Sequence, residues 1–443
     1  MSGIKVNITN KEIWQIALPI MIGYLAQTII TFTDTAFLGH VGMIELSASM
    51  MAGIYYFVFT TLAMGFAVGV QIFVARRLGE GRLSQIGVVF AHGLVFVLLL
   101  GITLLAILLL CSNMLLSHII ASPDILFFAK DYIKVRQFGI VFVTVNYLFR
   151  SLYVGLSNTR SITYSTILMA ITNIFLDYVL IFGQWGFPQL GVTGAAIASL
   201  MAEMAAFVFF WVYSYCKVPK EYELFKPHRI ETALWGNILK VAFPAMIQRL
   251  LSCGTWFMFF VLIEKMGEFA LGVSSLVRSV YMILVIPVFA FAATANTLVS
   301  RIIGEGKVSQ VHSLLWKVSL NCLVCVIPFV LITLLVPLQI CSIYTNDMHL
   351  AASAVPTIYI ICVATVLSSI GIVMFESISG TGNTSAAMIL DFFATVTYIV
   401  YTWIASSYWA IHYVWMAEWV YNIQIGLMSY CYIKYVNWQR KKI

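Results

Sequence analysis

The chain has 443 residues, of which 61% are hydrophobic and only 10% charged, with a formal net charge of +7. Soluble domains carry about 25% charged residues and disordered chains are more polar still, so a water-soluble enzyme and a disordered scaffold are both excluded. The surplus of Lys and Arg marks cytoplasmic loops rather than nucleic-acid contact, because no basic stripe sits on a soluble domain.

Apolar runs of the length a bilayer needs, about 20 residues each, follow one another at roughly 13–38, 47–72, 86–111, 133–155, 163–183, 193–215, 237–262, 271–296, 314–339, 355–379, 386–408 and 415–436. They predict an all-α polytopic membrane protein with twelve transmembrane helices. The start is polar and no cleavage site follows the run from Ile13, so that run reads as a retained span. With the N-terminus inside, the inner loops hold Lys5, Lys11, Arg76, Arg77, Arg82, Arg160, a cluster from Lys217 to Lys240, Arg301, Lys307, and the tail residues Lys434, Arg440, Lys441 and Lys442. The outer side holds Lys130, Lys134, Arg136 and Lys265. This asymmetry places both termini in the cytoplasm.

The sequence repeats itself at an offset of 225 residues. IALPIMI around Pro19 maps onto VAFPAMI around Pro244, and VARRLGEGRLSQ (74–85) maps without a gap onto VSRIIGEGKVSQ (299–310). Gly155, Asn158 and Thr159 map onto Gly380, Asn383 and Thr384. The repeat holds six spans, an even number, so the halves share orientation. That predicts two pseudo-symmetric six-helix bundles around a central cleft: an N-lobe over 1–215, a charged cytoplasmic linker over 216–236 and a C-lobe over 237–443. The GEG of each repeat is not a phosphate loop, since no strand precedes it and no Lys-Ser/Thr follows. A helix ending in glycine beside Arg or Lys explains it. Cys322 and Cys325 form a CxxC inside an apolar run; without a second ligand pair they read as packing residues, not a zinc site.

An ionisable group at mid-bilayer costs about 2.5–3.5 kcal/mol on insertion scales, so each one is a candidate functional group. Span one carries Gln27, Thr31 and Asp34 on one helical face, span five Asn173 and Asp177 one turn apart, and span six Ser199 and Glu203. Asp34, Asp177 and Ser199 all fall in the outer half of the first lobe, where one polar site can assemble. Two carboxylates with an amide and hydroxyls suit Na⁺, and equally suit a proton, because neighbouring carboxylates in low dielectric resist double ionisation. Helix packing through Thr and Asn is the structural alternative. The equivalents of Asp34 and Asp177 in the second half are Phe259 and Thr402, which confines this site to the first lobe. The second half has Arg249, Arg278 and Glu376 inside its spans and Asp391 opening span eleven. Two interior guanidiniums suit an anionic group; an internal Arg–Glu network is the alternative. The tyrosines and tryptophans from Tyr398 to Tyr421 read as an interfacial belt.

Two parallel six-span halves, IALPIMIGYLAQTIITFTDTAFLG opening the first, NIFLD in span five and GTGNT at 380–384 together resemble the MATE (multidrug and toxic compound extrusion) transporters over roughly residues 10–435, and most of all their DinF-like branch. The resemblance implies an N-lobe cation site. Its span-one Asp, fifteen residues after a bending proline, corresponds to Asp34 after Pro19; its span-five Asn-x-x-x-Asp corresponds to Asn173 and Asp177. A span-six hydroxyl corresponds to Ser199 of GAAIAS, where Thr is usual.

The implied function is a secondary antiporter that exports small organic compounds against inward H⁺ or Na⁺. Asp34 and Asp177 would bind the ion, with Asn173 and Ser199 in support; Na⁺, if used, would lie at Asp34, Asn173 and Asp177, and Pro19 would be the hinge of span one. Gln27, Thr31, Arg249, Arg278 and Glu376 are the candidate substrate contacts, and the two arginines point to an anionic or zwitterionic compound. The chain is expected to be a monomer in the bacterial plasma (inner) membrane, with no cofactor and no nucleic-acid partner. A lipid-linked glycan flippase of the same superfamily is the alternative. Catalysis is not expected, because no DxD-type, HExxH or Ser/His/Asp set is present and the external loops are short.

Overall fold

The computed structural model describes residues 8–229, 231–345, 347–436 and 438. Lys5, Arg440, Lys441 and Lys442, which helped to orient the termini, lie outside the described residues. Backbone inside a bilayer must satisfy its own polar groups, and every described element is accordingly helical. The order is α1 (Asn10–Val41), α2 (Met43–Gly79), α3 (Ser84–Ile119), α4 (Pro123–Arg136), α5 (Gly139–Gly155), α6 (Arg160–Phe182), α7 (Gly191–Lys217), α8 (Thr232–Glu264), α9 (Glu268–Leu284), α10 (Ile286–Gly304), α11 (Val311–Leu335), α12 (Pro337–Ser342), α13 (Met348–Gly380), α14 (Thr384–Tyr408), α15 (Ile411–Trp415) and α16 (Ala417–Tyr435). Ten of these are long and apolar enough to cross a membrane, and α4 with α5, bent by 57° at their break, makes an eleventh. The twelfth expected span is α15 with α16, which is more polar than the rest because it carries Glu418, Asn422, Gln424 and Lys434.

Four expected spans are broken: 314–339 at Val336 and 415–436 at Met416, near their ends, and two more at different places in the two halves. The span over 133–155 breaks after Arg136, whereas the span over 271–296 breaks at Val285. Pro287 accounts for the second break: it has no N–H to donate and its ring excludes a helical carbonyl ahead of it. Leu62 stands at the equivalent place, and α2 runs through it without interruption. Pro19 and Pro244 lie inside α1 and α8, each of which continues past its proline.

The helices pack into two units, neither contiguous in sequence. The C-half unit joins the chain up to Met21 and Ala75–Gly81 to Lys240–Ile443; the N-half unit joins Ile22–Val74 to Arg82–Leu239. Both α1 and α2 are therefore shared between units, and the division within α1 falls just past Pro19.

In the C-half unit, the last turns of α2 and α10 cross at Gly79 and Gly304, which occupy equivalent positions in the repeat. A Cβ on Gly79 would lie 2.1 Å from the Arg301 carbonyl oxygen, and one on Gly304 would lie 2.4 Å from that of Arg76. Gly81 and Gly306, at φ 71° and 74°, then reverse the chain in the left-handed region that glycine tolerates. The repeated GEG is thus a helix crossing followed by a helix stop. Arg76 donates to the carbonyls of Ser300 and Thr381, both at 3.1 Å, and Arg301 to Glu12 Oε1 at 2.8 Å. Cys322 and Cys325 are buried free thiols, and no metal-holding group of His, Cys, Asp and Glu occurs among the described residues.

In the N-half unit, Leu38, Tyr55, Leu104, Ile140, Ile181 and Ala195 belong to one apolar core. The linker after α7 is strapped over α3. A Cβ on Gly87 would lie 2.4 Å from the Tyr222 carbonyl. Buried His92 bonds through Nδ1 to the Val88 carbonyl (2.7 Å) and accepts the Glu231 N–H at Nε2 (2.8 Å). The two bonds together select the tautomer with the proton on Nδ1.

Candidate functional site

The polar site of the N-half unit is built from two helices. On α6, Asn173 and Asp177 are one turn apart and share a face; both are buried, as the apolar character of NIFLD around them requires. On α1, Asp34 comes in from the facing side. The Asn173 amide is oriented by its acceptors, with the nitrogen 2.9 Å from Asp34 Oδ1 and 3.3 Å from Asp177 Oδ2. The two carboxyls also face each other within hydrogen-bonding reach. Two bare carboxylates would repel at that separation. Asp177 Oδ1 is buried with no hydrogen-bond partner among the described residues.

Ser199, on α7, lies beside Tyr132 of α4, which in turn feels the charge of Asp34. Gln27 and Thr31 are not brought in. Both are exposed on α1, and the Thr31 hydroxyl donates back to the Gln27 carbonyl at 3.2 Å.

Next to the pair lies an ion pair that the sequence reading placed wrongly. Arg136, counted there among the outer charges, ends α4 and turns inward, where it binds Glu203 of α7 through both guanidinium nitrogens. The side chains are 13% and 8% exposed. The guanidinium lies over the Tyr56 ring, 4.3 Å from its centroid.

The C-half unit holds a cavity of about 200 Å³ whose lining includes Gln248, Arg249, Trp256, Tyr281, Glu376 and Glu418. Arg249 pairs with Glu376 at 3.1 Å. Glu418 is buried and accepts hydrogen bonds from Tyr281 (2.9 Å) and Tyr398 (3.0 Å). Asp391 accepts from Tyr421 at 2.7 Å. Arg278 does not line this cavity; its guanidinium lies over Phe260, 5.1 Å from the ring centroid. The two arginines therefore do not converge on one anionic group, and the charge of Arg249 is met by Glu376. The aromatic run at the end of the chain is also more than a belt. Tyr398 and Trp415 are buried around Phe259, with Trp415 at a centroid distance of 5.1 Å from that ring, so the counterpart of Asp34 sits in an aromatic cluster.

A family model described as MatE matches residues 19–179 and again 244–404, two copies at the spacing of the internal repeat that together cover well over half of the chain. The chain belongs to the MatE family. A probable multidrug resistance protein NorM from Thermotoga maritima is 26% identical over 392 residues, covering 88% of this chain and 83% of that protein. Among solved structures, an outward-facing multidrug resistance MATE family transporter of the MOP superfamily superposes with a TM-score of 0.88 at 20% identity, covering 98% of this chain and 97% of that one. A MOP superfamily transporter from Pyrococcus furiosus, described as having a binding pocket of reverse polarity, gives 0.85 at 21% identity, with 96% and 95% covered. These structural likenesses establish the MatE fold.

Within this MatE chain, the sequence held a signal for the missed pair. Glu203 stands alone in the apolar run of span six, and a lone buried acid calls for a base from another span. Arg136 was the candidate, but its position at a span end hid the inward turn at the α4–α5 break.

Proposed function

We propose that this chain is a secondary antiporter that exports organic compounds across the bacterial plasma membrane, with Asp34 and Asp177 binding the coupling ion, H⁺ or Na⁺. The observation that carries this reading is the Asn173 amide, which donates to a carboxylate from each of two helices. It holds two like charges at one point, an arrangement that a bound cation stabilises and its departure destabilises. A ligand moves a conformational equilibrium only by binding one state better, and this pair supplies the difference: with the ion gone, α1 and α6 repel where they meet. Pro19 gives α1 a place to bend in response. Asn173 positions the carboxylates through its N–H groups, the carboxylate oxygens take the ion, and Ser199 acts through Tyr132. The presence of Phe259 and Thr402 at the equivalent second-half positions supports a single, N-lobe site and so the DinF-like branch.

The second-half cavity supports a substrate with an aromatic body and a positive centre. Trp256, Tyr281 and Phe289 offer ring faces there, and Glu418 has phenol donors but no cationic partner among the described residues. The similarity to proteins named for multidrug resistance agrees with this class. The protein works as a monomer without catalysis or an organic cofactor, with both termini in the cytoplasm. The test is Asp34→Asn in proteoliposomes. Ion-driven uptake should vanish while substrate binding in detergent persists; uptake at the wild-type rate overturns the proposal.

A further inference from the structure

Arg136 and Glu203 raise a question that helix packing does not answer. Replacing a buried ion pair by well-packed apolar groups is often neutral or stabilising, so stability alone gives little reason to keep one inside a membrane. The repeat makes the point within this chain: Ile361, fully buried, stands where Arg136 would map in the second half. The fold accepts an apolar side chain there. The N-half unit instead builds a fitted place for the pair. A Cβ on Gly139 would lie 2.3 Å from Glu203 Oε2 and 2.6 Å from Arg136 Nη1, so a larger residue at the start of α5 would push the two charged ends aside. The Asn146 amide holds the Glu203 carbonyl at 2.9 Å, and Tyr56 covers the guanidinium face.

The surroundings of Arg136 are almost all acidic or phenolic. Asp34 comes from α1, Tyr56 from α2, Tyr132 from α4 itself and Glu203 from α7, and Arg136 acts electrostatically on Asp34 and Tyr132 as well as on Glu203. It ends α4 at a helix break of 57°, where a small change in direction re-aims the side chain.

We propose that Arg136 is a tethered counter-cation of the Asp34–Asp177 site, a positioning residue that Glu203 holds back while the coupling ion is bound and that turns toward the carboxylates when the ion leaves. Arg136 would then offset part of the repulsion between the emptied carboxylates, and Glu203 would set how strongly Arg136 competes with the ion. This rests on Asp34 and Asp177 being the coupling site.

Three variants in proteoliposomes test it, with uptake measured against graded H⁺ and Na⁺ concentrations. Glu203→Gln releases Arg136 onto the carboxylates and should raise the half-maximal concentration of the driving ion at least tenfold. The double variant Arg136→Gln/Glu203→Gln removes the competitor and should return it to the wild-type value or below. A purely structural pair predicts equal damage in the two and an unmoved ion dependence, and that result overturns the proposal. If Glu203→Gln fails to accumulate, Glu203→Asp should show the same ordering at smaller amplitude; an Asp variant with wild-type ion dependence counts equally against it. Asp34→Asn, run alongside, separates the two claims. Loss of ion drive in that variant with no shift in Glu203→Gln refutes the counter-cation alone, whereas ion drive retained by Asp34→Asn refutes both.

Discussion

Replacing Asn173 by leucine keeps the volume of the side chain and removes both N–H donors from the carboxylate pair. A hydrogen bond to a charged group contributes about 1.5–3 kcal/mol. If the driving ion is a proton, one carboxylate is neutral in the loaded state and both are charged in the empty one. The variant then loses about one charged bond more from the empty state than from the loaded one. That difference corresponds to a proton held about 10- to 150-fold more tightly. Uptake driven by a pH gradient should therefore saturate at a correspondingly lower proton concentration, with a reduced maximal rate because release is slowed. If Na⁺ is the driver, both carboxylates stay charged in both states, so the donors are lost from each and the half-maximal Na⁺ concentration moves only a few-fold while the rate falls. The assay thus also separates the two ions. A leucine variant that either ion drives with wild-type half-saturation and rate would refute the bridging role of Asn173.

Gly304→Val should prevent the crossing of α2 and α10, because its Cβ would meet the Arg76 carbonyl at 2.4 Å. Monodisperse protein on fluorescence-detected gel filtration should be lost, whereas Gly254→Ala, which meets nothing within 4 Å, should elute as wild type; equal elution of both contradicts the crossing. His92→Phe removes the acceptor of the Glu231 N–H and should speed tryptic cleavage after Arg229 several-fold in detergent, with an unchanged rate showing that His92 does not hold the strap. Tyr281→Phe combined with Tyr398→Phe leaves Glu418 buried without its phenol donors. Losing them should lower the apparent unfolding temperature well beyond either single change, at about 1–3 kcal/mol per unmet bond, and a double variant as stable as wild type would contradict that network.

Much of the fold was legible because a bilayer permits few solutions. Long apolar runs had to be helices, and the spacing of Pro19 and Pro244, or of the two GEG segments, gave the duplication directly. Less legible were the breaks. Pro287 is a local signal for the interruption before α10, whereas the bend after Arg136 has no proline and only Gly139 beside it. The carboxylate site was readable for the opposite reason: Asp34, Asn173 and Asp177 sit in apolar surroundings where each polar atom needs a partner, and helical spacing already put the last two on one face. Ser199, grouped with them by depth, lies beside Tyr132, a relation between α7 and α4 that spacing cannot supply. Arg278 and Arg249 were grouped because both are basic and lie inside apolar spans. Their separation follows from Phe260 and Glu376, partners that sequence distance does not reveal.

Simultaneous recording of ion and substrate movement in proteoliposomes tests the central claim most directly. Wild-type protein should move the coupling ion inward as substrate leaves, and Asp34→Asn should show neither flux above protein-free vesicles. Ion counterflow persisting in Asp34→Asn would contradict the assignment of coupling to the Asp34–Asp177 pair.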